Sequence, residues 1–132
     1  PPNLGLVVGN VLNASHEVII PFQPEVYSMR SLQKILFQIN SFKEEHNPGL
    51  KVAGVVGTLV DKRTILHSQV LQECRRFCFE NGIKMFETVI PRSVRSASSV
   101  AYEQLPVTLV ENKTNNLVSS YYDLYEEVFT NE

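Results

Sequence analysis

Polar and charged residues gather in three short stretches, each just after an apolar run. They are Pro21-Phe22-Gln23-Pro24-Glu25, Thr58-Leu59-Val60-Asp61-Lys62-Arg63-Thr64 and Pro91-Arg92-Ser93-Val94-Arg95. An apolar run that turns polar at its C-terminal end reads as a buried parallel strand delivering a loop to one edge of an α/β sheet. Open α/β sheets bind their ligands at that edge. Three such loops converging on one edge would suit a nucleotide or another anion. Periodicity alone leaves a second reading open, in which the prolines only end strands.

Other chemistries find little support. The phosphate-binding patterns G-x-x-x-x-G-K-[ST] and G-x-G-x-x-G are both missing, and Gly54 and Gly57 lie inside an apolar run where they can form neither. No Ser-His-Asp or Cys-His order and no carboxylate pair stands out, so no catalytic residue is assigned. Cys74 and Cys78 are four apart on the apolar side of an expected helix, which reads as two buried thiols. His16, His46 and His67 are scattered and add no ligands for a metal. The cysteine usage fits a reducing, cytoplasmic setting.

The elements that must position these loops follow from periodicity. Residues 6–15 fit helical spacing through Val7, Val8, Val11 and Leu12, while their β-branched content argues for a strand. Glu17–Pro21 reads as a short strand. Ser28–His46 reads as a helix with Met29, Leu32, Ile35, Leu36, Ile39 and Phe42 on one stripe, stopped by Asn47-Pro48-Gly49. Lys51–Thr58 reads as a strand. Thr64–Asn81 reads as a helix with Leu66, Val70, Cys74, Phe77 and Cys78 inward and Asn81-Gly82 closing it. Ile83–Ile90 is a third strand, Ser96–Gln104 a helix, and Leu117–Phe129 a last helix striped by Leu117, Tyr121, Leu124, Tyr125 and Val128. Strands alternating with helices predict an α/β fold of three layers, a mostly parallel sheet flanked by helices.

The 132 residues suit a single α/β domain, 1–132, and 43% hydrophobic with 20% charged residues is ordinary for a globular chain. No apolar run approaches the roughly 20 residues of a membrane-spanning helix. The net charge is −2, but residues 61–95 hold seven Lys and Arg against four acids, a local +3 that leaves −5 elsewhere. A basic middle permits a polyanion partner there, or is a solvated helix face. Three strands are few for a parallel sheet, which must be covered on both faces. Together with Pro1 in place of Met, this raises the expectation that an N-terminal part is missing.

Several segments in order carry a resemblance. They are Pro1-Pro2-Asn3-Leu4-Gly5, Asn10-Val11-Leu12-Asn13-Ala14-Ser15, Ile19-Ile20-Pro21-Phe22-Gln23-Pro24-Glu25, Gly54-Val55-Val56-Gly57-Thr58 with Asp61-Lys62-Arg63-Thr64, Thr88 to Arg95, and Tyr121 to Val128. The series resembles the second half of ParA-type (Soj-like) partition ATPases, the deviant Walker A group of P-loop proteins. Ser93 departs from that pattern where Asn is common, and so do Ser98 and Ser99. The resemblance implies a bacterial, cytoplasmic, nucleoid-associated parent that uses ATP and Mg²⁺. It also implies a homodimer formed around ATP, non-specific binding to DNA, and a ParB-like centromere-binding partner in plasmid or chromosome partitioning. By the same resemblance, Pro1 and Pro2 would lie in a switch region, Thr58, Pro91 and Arg92 on the adenine side of the nucleotide, and Arg63 and Arg95 on DNA. The chain lacks the lysine-bearing loop, so alone it is expected to be inactive as an ATP hydrolase and to hold no cofactor. The alternatives are a MinD-like membrane-positioning ATPase, disfavoured by the acidic last helix, and a non-catalytic α/β interaction module.

Overall fold

The computed structural model describes residues 6–25, 28–92 and 116–130. Pro1, Pro2, Arg95 and the expected Ser96–Gln104 helix lie outside them. The described elements run α1 (Leu6–Ala14), β1 (Glu17–Phe22), α2 (Ser28–His46), β2 (Lys51–Val60), α3 (Ile65–Glu80), β3 (Met85–Pro91) and α4 (Asn116–Thr130). The strands form a parallel sheet in the order β1-β2-β3.

In the ambiguous first segment, helical spacing prevails over β-branched content. Leu12 is buried and Val8 packs against the same core. The end of α1 leaves carbonyls without helical partners. Asn47 supplies donors from the turn after α2, with Nδ2 at 3.0 Å from both the Leu12 and Ser15 carbonyl oxygens. The Asn47-Pro48-Gly49 stretch thus ends one helix and ties down another.

β1 runs one residue past its expected end and includes Pro21. A proline cannot donate to a ladder, and an edge strand is where that loss is tolerated. β1 pairs only with β2 among the described residues. α2 has the expected bounds, with Leu32 and Ile39 buried and Met29, Ile35, Leu36 and Phe42 packed beside them.

Two apolar cores cover the two faces of the sheet. One gathers Leu12, Ile20, Phe22, Leu32, Ile39, Val55, Val70, Cys74 and Cys78 beneath α1, α2 and α3. The other gathers Val56, Phe86, Ile90, Leu117 and Val118 beneath α4. Val55 and Val56 are successive on β2 and face opposite ways, as pleating requires. The layers are therefore helix, sheet, helix.

Both cysteines are buried thiols, as their spacing predicts. Burial, with Cys78 beside it, pushes the Cys74 thiol up to about 12, and burial also raises Cys78. Neither is a thiolate at neutral pH, so neither is set up as a nucleophile. Three expected inward residues are not inward. Leu66 is 44% exposed, and its neighbour His67 is buried in its place. Tyr125 on α4 is 63% exposed, and Tyr121 is exposed as well.

Candidate functional site

Parallel pairing brings the C-terminal ends of all three strands to one edge. Phe22 lies level with Gly57, and Val60 level with Pro91. The Arg92 N–H donates to the Val60 carbonyl at 2.9 Å. Thr58, Pro91 and Arg92 therefore stand on neighbouring strand ends; Thr58 and Pro91 are half-buried and Arg92 is exposed.

β2 continues two residues beyond its expected end because it bends rather than stops. Leu59 has φ 52°, the left-handed region, and is 46% exposed. A non-glycine residue costs about 1–2 kcal/mol there. The pairing register shifts between Gly57 and Val60 at this point. Such bulges re-aim side chains at the rims of sheets and next to sites.

The loop after β2 is closed by its own side chains. Asp61 Oδ1 accepts from the Arg63 backbone N–H and from Nε, both at 3.0 Å, and Oδ2 accepts from Nη2 at 3.2 Å. The Arg63 side chain donating to it, then the Arg63 backbone N–H, hold the Asp61 carboxyl below the usual range. The Arg63 side chain is 90% exposed. Two of its five N–H donors are committed to Asp61, so a pre-positioned cation remains open to solvent. Thr64 caps α3, its Oγ1 accepting from the His67 N–H at 3.2 Å. The His67 Nδ1 accepts from the Asp61 N–H at 2.9 Å. Sequence reasoning set His67 aside with the other histidines. The available signal was its place on the first turn of α3, one turn past the polar loop.

At the end of β1 a cavity of about 250 Å³ lies between the strand and the start of α2, lined by Phe22, Gln23, Glu25, Ser28, Ser31 and Leu32 among others. Gln23, Glu25 and Ser28 bond to one another there. Gln23 Nε2 donates to Glu25 Oε1 at 2.7 Å, and the Glu25 N–H donates to Ser28 Oγ at 2.9 Å. Ser28 Oγ donates in turn to the Gln23 carbonyl.

The edge presents a threonine, a half-buried proline and an exposed arginine on neighbouring strand ends. The described residues contain no cluster of three or more His, Cys, Asp or Glu that could hold a metal ion. The sequence has no lysine-bearing loop for phosphates. Thr58, Pro91 and Arg92 are brought together, while Arg63 stands apart at the start of α3.

Comparisons with known proteins agree with this fold. A family model described as an AAA domain matches residues 1–52. The Bacillus subtilis protein named sporulation initiation inhibitor protein Soj is 34% identical over 99% of this chain and 50% of its own length. A ParA family protein of Mycoplasma genitalium is 31% identical over 97% of this chain and 47% of its own. Among solved structures, cobyrinic acid a,c-diamide synthase from Mycobacterium smegmatis with bound ATP analog and magnesium superposes with a TM-score of 0.60. That likeness is at 33% identity, over 83% of this chain and 43% of that one. The parallel sheet with its flanking helices is thus part of an α/β fold of the P-loop NTPase kind. Within that class the chain belongs to the ParA-type family, as a C-terminal portion. It spans about half the length of the curated relatives it matches.

Proposed function

We propose that the whole protein is a ParA-type partition ATPase to which this chain contributes two surfaces. Thr58, Pro91 and Arg92 form the base-side wall of a nucleotide site, with Pro1 and Pro2 in the adjoining switch region. Arg63 and Arg95 face DNA and contact phosphates without reading sequence. ATP with Mg²⁺ binds in the whole protein, where phosphate-side residues beyond this chain complete the site. The chain alone does not hydrolyse ATP. The parent dimerises around nucleotide, meets a ParB-like partner, and works at bacterial DNA in the cytoplasm. None of the described helices is long and apolar enough to cross a membrane.

The observation that carries this reading is the shared edge. Parallel register aligns Val60 with Pro91 and bonds Arg92 to Val60, while the loop leaving that edge holds Arg63 outward on the Asp61 carboxylate. Thr58, Pro91 and Arg92 thus lie on the adjoining ends of β2 and β3, and Arg63 lies on the loop that leaves β2.

The test uses Arg63→Ala and Arg92→Ala in the full-length protein. Arg63→Ala weakens binding to unrelated DNA duplexes by a similar factor for each. It also lowers the slope of log affinity against log salt by about 0.9, one phosphate contact. It leaves fluorescent ATP-analogue binding unchanged. Arg92→Ala does the reverse. DNA affinity unmoved in an Arg63→Ala, Arg95→Ala double variant would sink the DNA assignment.

A further inference from the structure

We infer that His67 is a positioning residue: its neutral imidazole fastens the Asp61–Thr64 loop, and protonation of the ring releases the loop and the arginine it presents.

His67 is the buried polar side chain of the described core. The backbone N–H of Asp61 can only donate, so the Nδ1 that it meets at 2.9 Å carries no proton. The neutral ring therefore bears its proton on Nε2. The other backbone polar group of Asp61 is tied down as well. Its carbonyl accepts from the Thr64 N–H at 3.2 Å and from Thr64 Oγ1 at 3.1 Å. Both ends of the Asp61 peptide are thereby pinned to the first turn of α3, and its carboxylate holds Arg63. His67 acts on Arg63 through Asp61.

Protonation sets two donors against each other in a buried place. The charged residues of its own loop are Asp61, Lys62 and Arg63, and on the neighbouring strand end Arg92 is joined by its backbone to Val60. The first two turns of α3, Ile65–Gln72, hold no other charged residue. Asp61 is the sole anion of this group, and both of its oxygens are occupied by Arg63. A cationic ring either pushes the Asp61 N–H away or takes the carboxylate from Arg63. Either movement undoes the pre-positioning of the arginine. The consequence for DNA rests on the proposal above that Arg63 faces DNA; the fastening of the loop does not.

The test is a pH titration of the full-length protein, ¹⁵N-labelled at histidine and aspartate. Three forms are compared: wild type, His67→Asn, whose Oδ1 accepts at every pH, and His67→Leu. In wild type the His67 Nδ1 and Asp61 amide resonances move together with one midpoint. DNA retention falls several-fold over the same range relative to His67→Asn, which holds its Asp61 amide constant. His67→Leu shows the acid-type Asp61 amide throughout. The inference is overturned if the wild-type Asp61 amide stays fixed while His67 protonates, or if His67→Asn shows the same acid response. The wild-type titration decides the point even if a variant fails to fold. Coupled resonances with no DNA binding at any pH would retain the fastener and remove the DNA assignment.

Discussion

At the scale of single residues, the tightest constraint on β2 is Gly54. A Cβ added there would lie 2.6 Å from Phe86 Cε2, 2.8 Å from its Cζ and 3.1 Å from the Lys84 carbonyl oxygen. Phe86 is buried in the core beneath α4 and cannot retreat freely. Gly54→Ala is therefore expected to destabilise the protein by about 1–3 kcal/mol, the range for overpacking. Phe86→Leu leaves room at that point. In denaturant unfolding the double variant should lose less than the two single losses added together, because the sites share one contact. Strict additivity would show that the clash is relieved by backbone movement instead. The sequence places Gly54 inside a strand and excludes it from a phosphate loop. The ring that requires a glycine comes from another strand, so its identity is invisible to local pattern. The same limit explains Leu66 and His67. Apolar periodicity turns Leu66 inward, but a backbone N–H at the end of β2 needs an acceptor, and His67 takes the inner position.

At the scale of elements, α4 is attached to β3 by a carboxylate as well as by its apolar stripe. Glu127 Oε2 accepts from the Glu87 N–H at 2.7 Å, and Oε1 from the Thr88 N–H at 3.0 Å. Two successive N–H groups can face one acceptor because the β2–β3 register shifts between the Val55–Met85 and Gly57–Val89 pairs. β3 is an edge of the described sheet, and Glu127 occupies donors that an edge would leave open. Burial raises the Glu127 carboxyl, but the hydrogen bonds from Thr88 and Glu87 outweigh it, and the net direction is down. A carboxyl lowered in the folded state contributes stability that is fully present above its unfolded value, about 4.3, and is lost as pH falls through the folded value. Glu127→Gln keeps one acceptor oxygen, now neutral, and sets its NH2 against the other N–H, so it should cost about 1–2 kcal/mol at neutral pH. The deficit should close as the pH falls through the lowered folded value, where wild type is protonated too. A deficit that persists unchanged to pH 3 would assign the loss to packing. The existence of α2, α3 and α4, the strand order of appearance and the parallel class were legible from alternation and stop signals, while α1 stood open between helix and strand. The rotation of α4 was not. Its stripe included Tyr121 and Tyr125, whereas the helix lies over one side of the sheet with Leu117, Leu124 and Val128 inward and Glu127 reaching the edge.

At the scale of the whole molecule, the two cores are unequal in reach. Ile20 and Phe22 of β1 belong to the core beneath α1, α2 and α3, while no β1 residue belongs to the core beneath α4. Ile19, on the opposite face from Ile20 and Phe22, is 39% exposed, and Pro21 beside it is exposed. On its far side β1 has no partner strand among the described residues. An apolar face next to an unpaired edge is a surface that other chains complete. The relatives are about twice as long as this chain, so in the whole protein proposed above this surface is where further sheet would dock. One substitution should therefore act in opposite directions in two settings. In the 132-residue chain by itself, wild type should associate into dimers or larger species at concentrations on the order of 100 μM, and Ile19→Lys should raise the monomer fraction, since an edge charge opposes pairing. In the full-length protein the same lysine would be forced into a covered apolar layer and should destabilise it by about 2 kcal/mol or more. Sedimentation velocity of the isolated chain and denaturant unfolding of the full-length protein measure the two effects. A monomeric wild-type chain, or a full-length Ile19→Lys protein of unchanged stability, would mean that nothing docks on this face of β1.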